Sequence, residues 1–443
     1  MKKRLFSIII FILILVTLAA PFSASAFTVS PDYASKINVP IYNLVCVSEN
    51  NAVLASKNSG KKVFPSSLTM LMTALVAHEH LTDIEADIKV SEEAVNCLID
   101  TGALGCDLKI GEIMSVKDHL YRMLIGSRAD SATTLAVESA GSVEKFIELM
   151  NKKAAELGMA NTTFKNCVGL YDPEHLTTAE DLTRLALEFI KNETLTKICS
   201  SILYEMDATN KTGSRGFYST NLMIQASSKY YYTYTDGLRY ASSSQSGRCI
   251  ITTATYEDRK YLCVALGGEL TDQNGETLHD EMTSTRQLYR WAFLNLASKN
   301  TVDKNIPIAE IPVELSLDDY VSLVAEKDVY ILVPKDSVIT YDVYYNSESG
   351  KASAPIKKGD VLGYADIVCA GERVGQVNLV ALNDVSANPI LYAWNWIVEL
   401  ISTTAFQVAF ISVIAALVLG IWIWMQIKRK RKIKQKRNRY RKF

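Results

Sequence analysis

The sequence predicts an α+β fold: helices packed on an antiparallel sheet, then a smaller all-β unit, then a membrane-spanning C-terminal helix. Three observations carry this. A strand pair opens the chain's body, helical periodicity fills its middle and strand character returns at its close, an order that suits helices laid over an antiparallel sheet. From about Ile306 the texture changes to short strands separated by turns. Thr404 to Ile427 contains no charged residue and exceeds the ~20 residues needed to cross a hydrocarbon layer.

At the N-terminus, Lys2, Lys3 and Arg4 precede an apolar run from Leu5 to Ala20 and the small-residue triplet Ala24-Ser25-Ala26. That pattern is an export signal, residues 1–26, cleaved after Ala26; an uncleaved anchor is the other reading. Residues 37–57 alternate apolar and polar side chains around a turn at Glu49-Asn50-Asn51, as a hairpin does. Helical spacing begins at Ser67 and recurs through Val116–Ile125, Ala132–Ala140, Val143–Leu157 and Ala179–Ile190. Arg248–Thr255 and Lys260–Leu266 read as strands. These elements make a first domain of residues 27–303.

The β-rich unit covers 304–383, with strands at Val329–Pro334 and Ser337–Val343. Residues 384–403 carry Leu391, Trp394, Trp396, Ile397 and Leu400, the pattern of an amphipathic helix lying on a membrane surface. The span, 404–427, has Trp422 and Trp424 near its end, where amphipathic rings favour the lipid–water boundary. The tail, 428–443, holds eleven basic residues, and such clusters stay on the cytoplasmic side. The body is therefore expected outside the membrane and the tail inside, close to anionic lipid.

The net charge of −1 conceals this division. Without the eleven tail bases and three N-terminal ones, 33 bases face 48 acids, a balance of −15. So acidic a surface argues against nucleic acid and other polyanions as partners. The eight cysteines (46, 97, 106, 167, 199, 249, 263 and 369) form no C-x-x-C pair, which argues against a thiolate metal site. Cys97 and Cys106 are near enough in sequence to be bridged in an oxidising compartment; buried free thiols are the other reading.

The segment Leu157-Gly158-Met159-Ala160-Asn161-Thr162-Thr163-Phe164-Lys165-Asn166 runs on through Gly169-Leu170 to Thr177-Thr178-Ala179-Glu180-Asp181-Leu182. With Pro65-Ser66-Ser67-Leu68-Thr69-Met70, it closely resembles the serine D-alanyl-D-alanine carboxypeptidases, the low-molecular-weight penicillin-binding proteins. The likeness extends over nearly all of the body. It implies a penicillin-binding-protein/β-lactamase-like domain, a small accessory β domain and chemistry that needs neither metal nor organic cofactor.

The family builds its site from three motifs, and this chain departs from each. In Ser-x-x-Lys the lysine takes the serine's proton from the same helix face. Here Ser67 holds the nucleophile position and Met70, which accepts no proton, holds the general-base position. In Ser-x-Asn, Ser127 remains as a proton relay, but Ala129 replaces the amide that holds substrate backbone. In Lys-Thr-Gly, on an edge strand, the chain has Arg239-Tyr240-Ala241. Arg239 is expected either to hold a peptide carboxylate or to be a solvated strand charge. Tyr240 adds bulk where substrate would enter. His78 and His80 lie about three turns along the helix, too far from Ser67 to substitute as bases, and Lys61 and Lys62 read as surface charges.

Three readings follow. The first is a family member with impaired or absent catalysis that binds peptidoglycan peptides or scaffolds wall enzymes. The second is a working D,D-carboxypeptidase that removes the terminal D-alanine of stem peptides through an acyl-enzyme on Ser67. The third, a β-lactamase, is disfavoured by the accessory domain and the anchor. A peptidoglycan stem peptide or β-lactam is the expected ligand, weakly bound on the first reading. Loss of a positioned base costs about 10² to 10⁴ in rate, and combined losses are hard to rescue.

Overall fold

In the computed structural model, residues 27–49, 51–369 and 371–440 are described, so the export signal expected at residues 1–26 lies outside the described residues. The chain divides into two compact units, one built mainly from residues up to Lys299 and the other mainly from Asn300 onward.

The first unit is organised on a five-stranded antiparallel sheet. Its strands are β1 (Ile41–Cys46), β2 (Ala52–Lys57), β3 (Thr235–Ser243), β4 (Gly247–Tyr256) and β5 (Arg259–Gly268), in the order β2-β1-β5-β4-β3. The hairpin expected at 37–57 is β1–β2, paired with a bulge at Leu44/Val45. Both faces of the sheet are covered, and the side-chain alternation along a strand assigns each residue to one of them. Along β5, Leu262, Val264 and Leu266 join the helical layer, whereas Tyr261, Cys263 and Ala265 point to the opposite side. Burial on both faces makes these strands read as unbroken apolar runs.

The helical layer contains α1 (Met70–His80), α2 (Val116–Leu124), α3 (Ala129–Ala140), α4 (Val143–Glu156) and α5 (Ala179–Phe189). Every residue of α1 from Met70 to Ala77 is buried, so α1 is the central helix, surrounded by its neighbours. Helix α3 is buried throughout Ala129–Ala136, whereas α2, α4 and α5 bury one stripe and are capped by short polar residues: Ser115 and Asp118 form a reciprocal capping box on α2, Ser142 caps α4 and Thr178 caps α5. The opposite face of the sheet is sealed by α6 (Asp280–Asn295), whose Leu288, Tyr289, Trp291 and Ala292 are buried against Ile250, Ala254 and Tyr261. Sequence periodicity did not single out α6.

The second unit carries a six-stranded sheet formed by segments between Ala309 and Ala381. Two helices end the described chain. Asn388 caps α7 (Pro389–Ser402) through Ile390 N at 2.9 Å, and Trp394, Trp396 and Ile397 are exposed. The last helix, α8 (Thr404–Tyr440), has a mean hydropathy of 2.5 in its apolar part and no buried residue there. It does not stop at Ile427 but continues through the basic segment to Tyr440. No glycine or proline follows Gly420, and lysine, arginine and glutamine are good helix formers. All eight cysteines are free: six are buried, and Cys97 and Cys106 are exposed and unbridged.

Candidate active site

A short 3₁₀ turn, Ser66–Thr69, leads into α1 and sets Ser67 at the head of the central helix. Ser66 takes a left-handed φ of +51°, a conformation that persists only where its surroundings hold it. Those surroundings are the 157–182 segment. Asn166 Oδ1 accepts hydrogen bonds from Gly169 N at 2.7 Å and Leu170 N at 3.0 Å, folding the loop against the turn. At Gly169, with φ +85°, a Cβ would lie 2.1 Å from Ser66 O, so only glycine permits the approach. Asp181 fixes the other end of the loop through Asn161 N and Thr162 Oγ1, both at 2.8 Å.

His175, which sequence reasoning missed, buttresses the same turn. Its Nε2 is 3.0 Å from Thr69 Oγ1, and Thr69 in turn donates to Ser66 O at 2.8 Å. Lys165 N and Asn166 Nδ2 approach its Nδ1 at 3.4 and 3.3 Å. That pattern assigns the proton to Nε2 and occupies the basic lone pair with amide donors. Burial lowers its pKa to about 4, so the ring is neutral at pH 7. It holds Thr69 and makes no bond to Ser67.

Met70 lies one turn along from Ser67 and is 2 % exposed. Its sulfur is met by a group from the other side of the cleft. Arg239, on edge strand β3, crosses to the head of α1 and is itself 1 % exposed. Its Nε donates to Ser67 O at 2.7 Å, its Nη1 to Met123 O at 3.0 Å and to Leu124 O, and its Nη2 to Ser127 Oγ at 3.1 Å. Nη2 also lies 2.8 Å from Met70 Sδ. The expectation of a solvated charge for Arg239 is therefore corrected: its guanidinium is buried. A long side chain that starts on the strand has buried its head against three main-chain carbonyls, two of which, Met123 O and Leu124 O, end α2, where carbonyls lack intrahelical donors.

Desolvation pushes the Arg239 pKa down to about 10, which still leaves it a cation at neutral pH and no base. Among the described residues, Ser67 Oγ has no hydrogen-bond partner. His80 bonds Val76 O at 2.9 Å, inside the far end of α1, and Lys61 and Lys62 are exposed before the turn.

Ser127 stands beside the guanidinium with a left-handed φ of +53°, and the next residue, Arg128, turns its guanidinium over the Phe217 ring at 5.5 Å. Ala129 begins α3 and is buried. Behind this corner, Arg122 Nη2 pairs with Asp107 at 2.7 Å and Asp130 at 3.1 Å, while Asp130 Oδ2 accepts from Asp107 N and Leu108 N. This clamp ties the loop ahead of Asp107 to the start of α3. Tyr240 follows Arg239 on β3, and its hydroxyl is bonded to Arg248. Burial raises its pKa, so the phenol stays protonated at pH 7.

Ser67, Met70, Ser127, Ala129 and Tyr240 thus meet on one cleft of about 420 Å³, walled also by Gly102–Leu104, Val168–Tyr171 and Ala241–Ser243. Arg239 is behind its wall. No group of three or more potential metal ligands occurs among the described residues.

Residues 34–269 match the D-alanyl-D-alanine carboxypeptidase family, and residues 297–387 match the C-terminal domain of penicillin-binding protein 5. The chain belongs to the D-alanyl-D-alanine carboxypeptidase family. Members of that family act on peptidoglycan and bind its peptides and β-lactams. Similar proteins include the D-alanyl-D-alanine carboxypeptidase DacF of Bacillus subtilis, 27% identical over 343 residues, which cover 76% of this chain and 83% of the relative. DacC of Escherichia coli is 27% identical over 346 residues, 75% of this chain and 81% of the relative. Among solved structures, DacD from Francisella tularensis aligns with a TM-score of 0.64 at 20% identity, over 84% of this chain and 99% of that one. Penicillin-binding protein 5 from Haemophilus influenzae aligns at 0.58 and 24% identity, over 79% and 98%. The structural matches speak to the fold alone.

Proposed function

We propose that this protein is a catalytically impaired carboxypeptidase homologue that holds cell-wall peptide material without cleaving it, or organises active wall enzymes around it. The observation that carries this is the Arg239–Met70 contact. The volume beside Ser67 where a proton acceptor would stand is filled by a thioether and a permanently charged guanidinium, and neither accepts a proton. Ala129 offers no side-chain amide to a substrate backbone, and Tyr240 crowds the strand along which one would lie. The export segment 1–26, α7 and α8 suit a body held on the outer face of a membrane, with the basic tail in the cytoplasm.

The second reading is an active D,D-carboxypeptidase with Ser67 as nucleophile, Ser127 as relay and Arg239 as carboxylate anchor. The relatives' names favour it, as do an open cleft and two surviving hydroxyls. The buried guanidinium counts against its last element. Incubating full-length protein in detergent with diacetyl-L-Lys-D-Ala-D-Ala, with Ser67→Ala as control, separates the readings. Impairment predicts equal, background release of D-alanine from both; release that depends on Ser67 establishes the second reading.

A further inference from the structure

Six of the eight cysteines are buried; the two exposed ones, Cys97 and Cys106, bracket a single loop. That loop is one wall of the cleft, which Thr101, Gly102, Ala103 and Leu104 all line. Leu104 is 82% exposed, and Asp100, Gly102 and Gly105 take left-handed φ values of +58°, +73° and +69°. The loop is joined to α3 by the bond from Ala129 N to Leu104 O at 3.3 Å. Its return leg rests on the start of the same helix: a Cβ at Gly105 would lie 3.0 Å from Arg128 Cα.

Both cysteines sit beside one face of α3. Cys97 is the C-cap of the short helix Glu92–Asn96, and its Sγ donates to Ala94 O at 3.4 Å. The same carbonyl accepts Thr133 Oγ1 at 2.7 Å. Cys106 Sγ is 3.9 Å from Leu104 O, the carbonyl bonded to Ala129 N, and the next amide, Asp107 N, bonds Asp130 Oδ2 at 2.7 Å. Residues 129, 130 and 133 share a helix face and span one turn, about 5.4 Å along the axis. The two thiols therefore stand beside adjacent turns of one rigid element. A disulfide needs Cα atoms about 5.5–6 Å apart, and the glycines at 102 and 105 give the loop the freedom to reach that spacing.

We propose that Cys97 and Cys106 form a thiol–disulfide switch: exchange with an external disulfide joins them, and the ring of residues 97–106 then holds the cleft wall against α3. In the first step one thiolate attacks the external disulfide, forming a mixed disulfide and releasing a thiolate. In the second, the other thiolate attacks the chain-bound sulfur, forming the Sγ–Sγ bond and releasing the second thiolate. The external disulfide gains two electrons, the pair loses two, and the two thiol protons end on the released thiols. Partial burial raises the pKa of both cysteines, and the Asp130 and Asp107 carboxylates add to this at Cys106, so exchange is slow at neutral pH. Export places the pair where disulfides persist. The switch does not depend on whether Ser67 is acylated, so failure of the impaired-enzyme reading leaves it standing.

The test uses full-length protein in detergent micelles, first reduced with dithiothreitol and then freed of it. Incubation with glutathione disulfide at about pH 8.5 supplies the thiolate that exchange requires. The tryptic peptide 90–109 holds both cysteines and no other, so the linked form is lighter by two hydrogens. That mass change should appear, and amide exchange over residues 98–105 should slow by at least about tenfold. Dithiothreitol should reverse both. Cys97→Ser and Cys106→Ser, at exposed positions, should each stop at one glutathione adduct and show no slowing. Three results overturn the proposal: the parent protein keeps two free thiols or two stable adducts, a link forms to another cysteine instead, or the linked protein exchanges over 98–105 as fast as the reduced one.

Discussion

Arg239 Nη2 lies 2.8 Å from Met70 Sδ, and the two side chains reach each other from different elements, the edge strand β3 and the central helix α1. A cation and a neutral thioether share a space too small for two charges. The methionine and the arginine therefore act as a matched pair, and changing one tests the other.

Met70→Lys alone should not restore the enzyme. It would set an ammonium against a guanidinium that is already desolvated. At about 4 Å and an effective dielectric near 20, the repulsion is roughly 4 kcal/mol. Thermal unfolding should show a loss of about 2–4 kcal/mol, and Ser67-dependent release of D-alanine should stay at background. Recovery of full activity with unchanged stability would show that Ala129 and Tyr240 matter little.

Arg239→Met should cost about 3–5 kcal/mol, since the buried carbonyls of Met123 and Leu124 lose their donor and Ser67 O keeps only its bond from Met70 N. Arg239→Lys should recover only part of that, because one ammonium cannot reproduce the planar fork that reaches the carbonyls and Ser127 together. Denaturant melts of both variants check the order. Equal stability of Arg239→Lys and the parent would remove the structural role assigned to the guanidinium.

Gly169→Ala should destabilise the head of α1. The added methyl has Ser66 O 2.1 Å away and the backbone sits at φ +85°, so loss of about 2–4 kcal/mol is expected, well above the ~1 kcal/mol of an ordinary glycine replacement. Hydrogen exchange should rise at residues 66–70 before it rises elsewhere.

Acid should weaken the fold through two buried imidazoles. Burial holds His119 at a pKa of about 3 and His175 at about 4, and neither ring nitrogen of His119 has a partner. Both folded values are depressed, so the unfolded chain takes up protons first. Stability is complete above about pH 6.5 and falls as pH drops from there toward pH 4, by about 2–4 kcal/mol at pH 5 for the pair. His119→Leu should remove close to half of that loss, and a pH series of melts reads it. An unchanged acid slope would contradict the burial of a neutral ring.

Much of the fold was legible because period-two and period-3.6 patterns report buried faces, and the 157–182 segment carries enough fixed residues to declare its family. The hairpin, the central helix and the closing strands follow from those patterns. Three things were not legible. Helix α6 was missed because its buried residues are spread around Tyr289 and Trp291 rather than forming a narrow apolar stripe. The run of α8 to Tyr440 was missed because a change of composition at Lys428 marks a change of solvent, not a break in the backbone. Arg239 was misread because a position on a strand states where a long side chain starts and not where its charge ends. His175 could have been noticed as the imidazole within the signature segment, between Gly169-Leu170 and Thr177. That it supports Thr69 rather than serving as a base depends on contacts across the chain.

The most direct measurement of the central claim is covalent labelling of full-length protein in detergent by a fluorescent penicillin, with Ser67→Ala alongside and intact mass as the readout. No adduct on Ser67 after prolonged incubation is the expected result. An adduct of one penicillin mass that disappears in Ser67→Ala would contradict the claim, because it would mean that the Ser67 proton leaves despite a thioether and a buried guanidinium beside it.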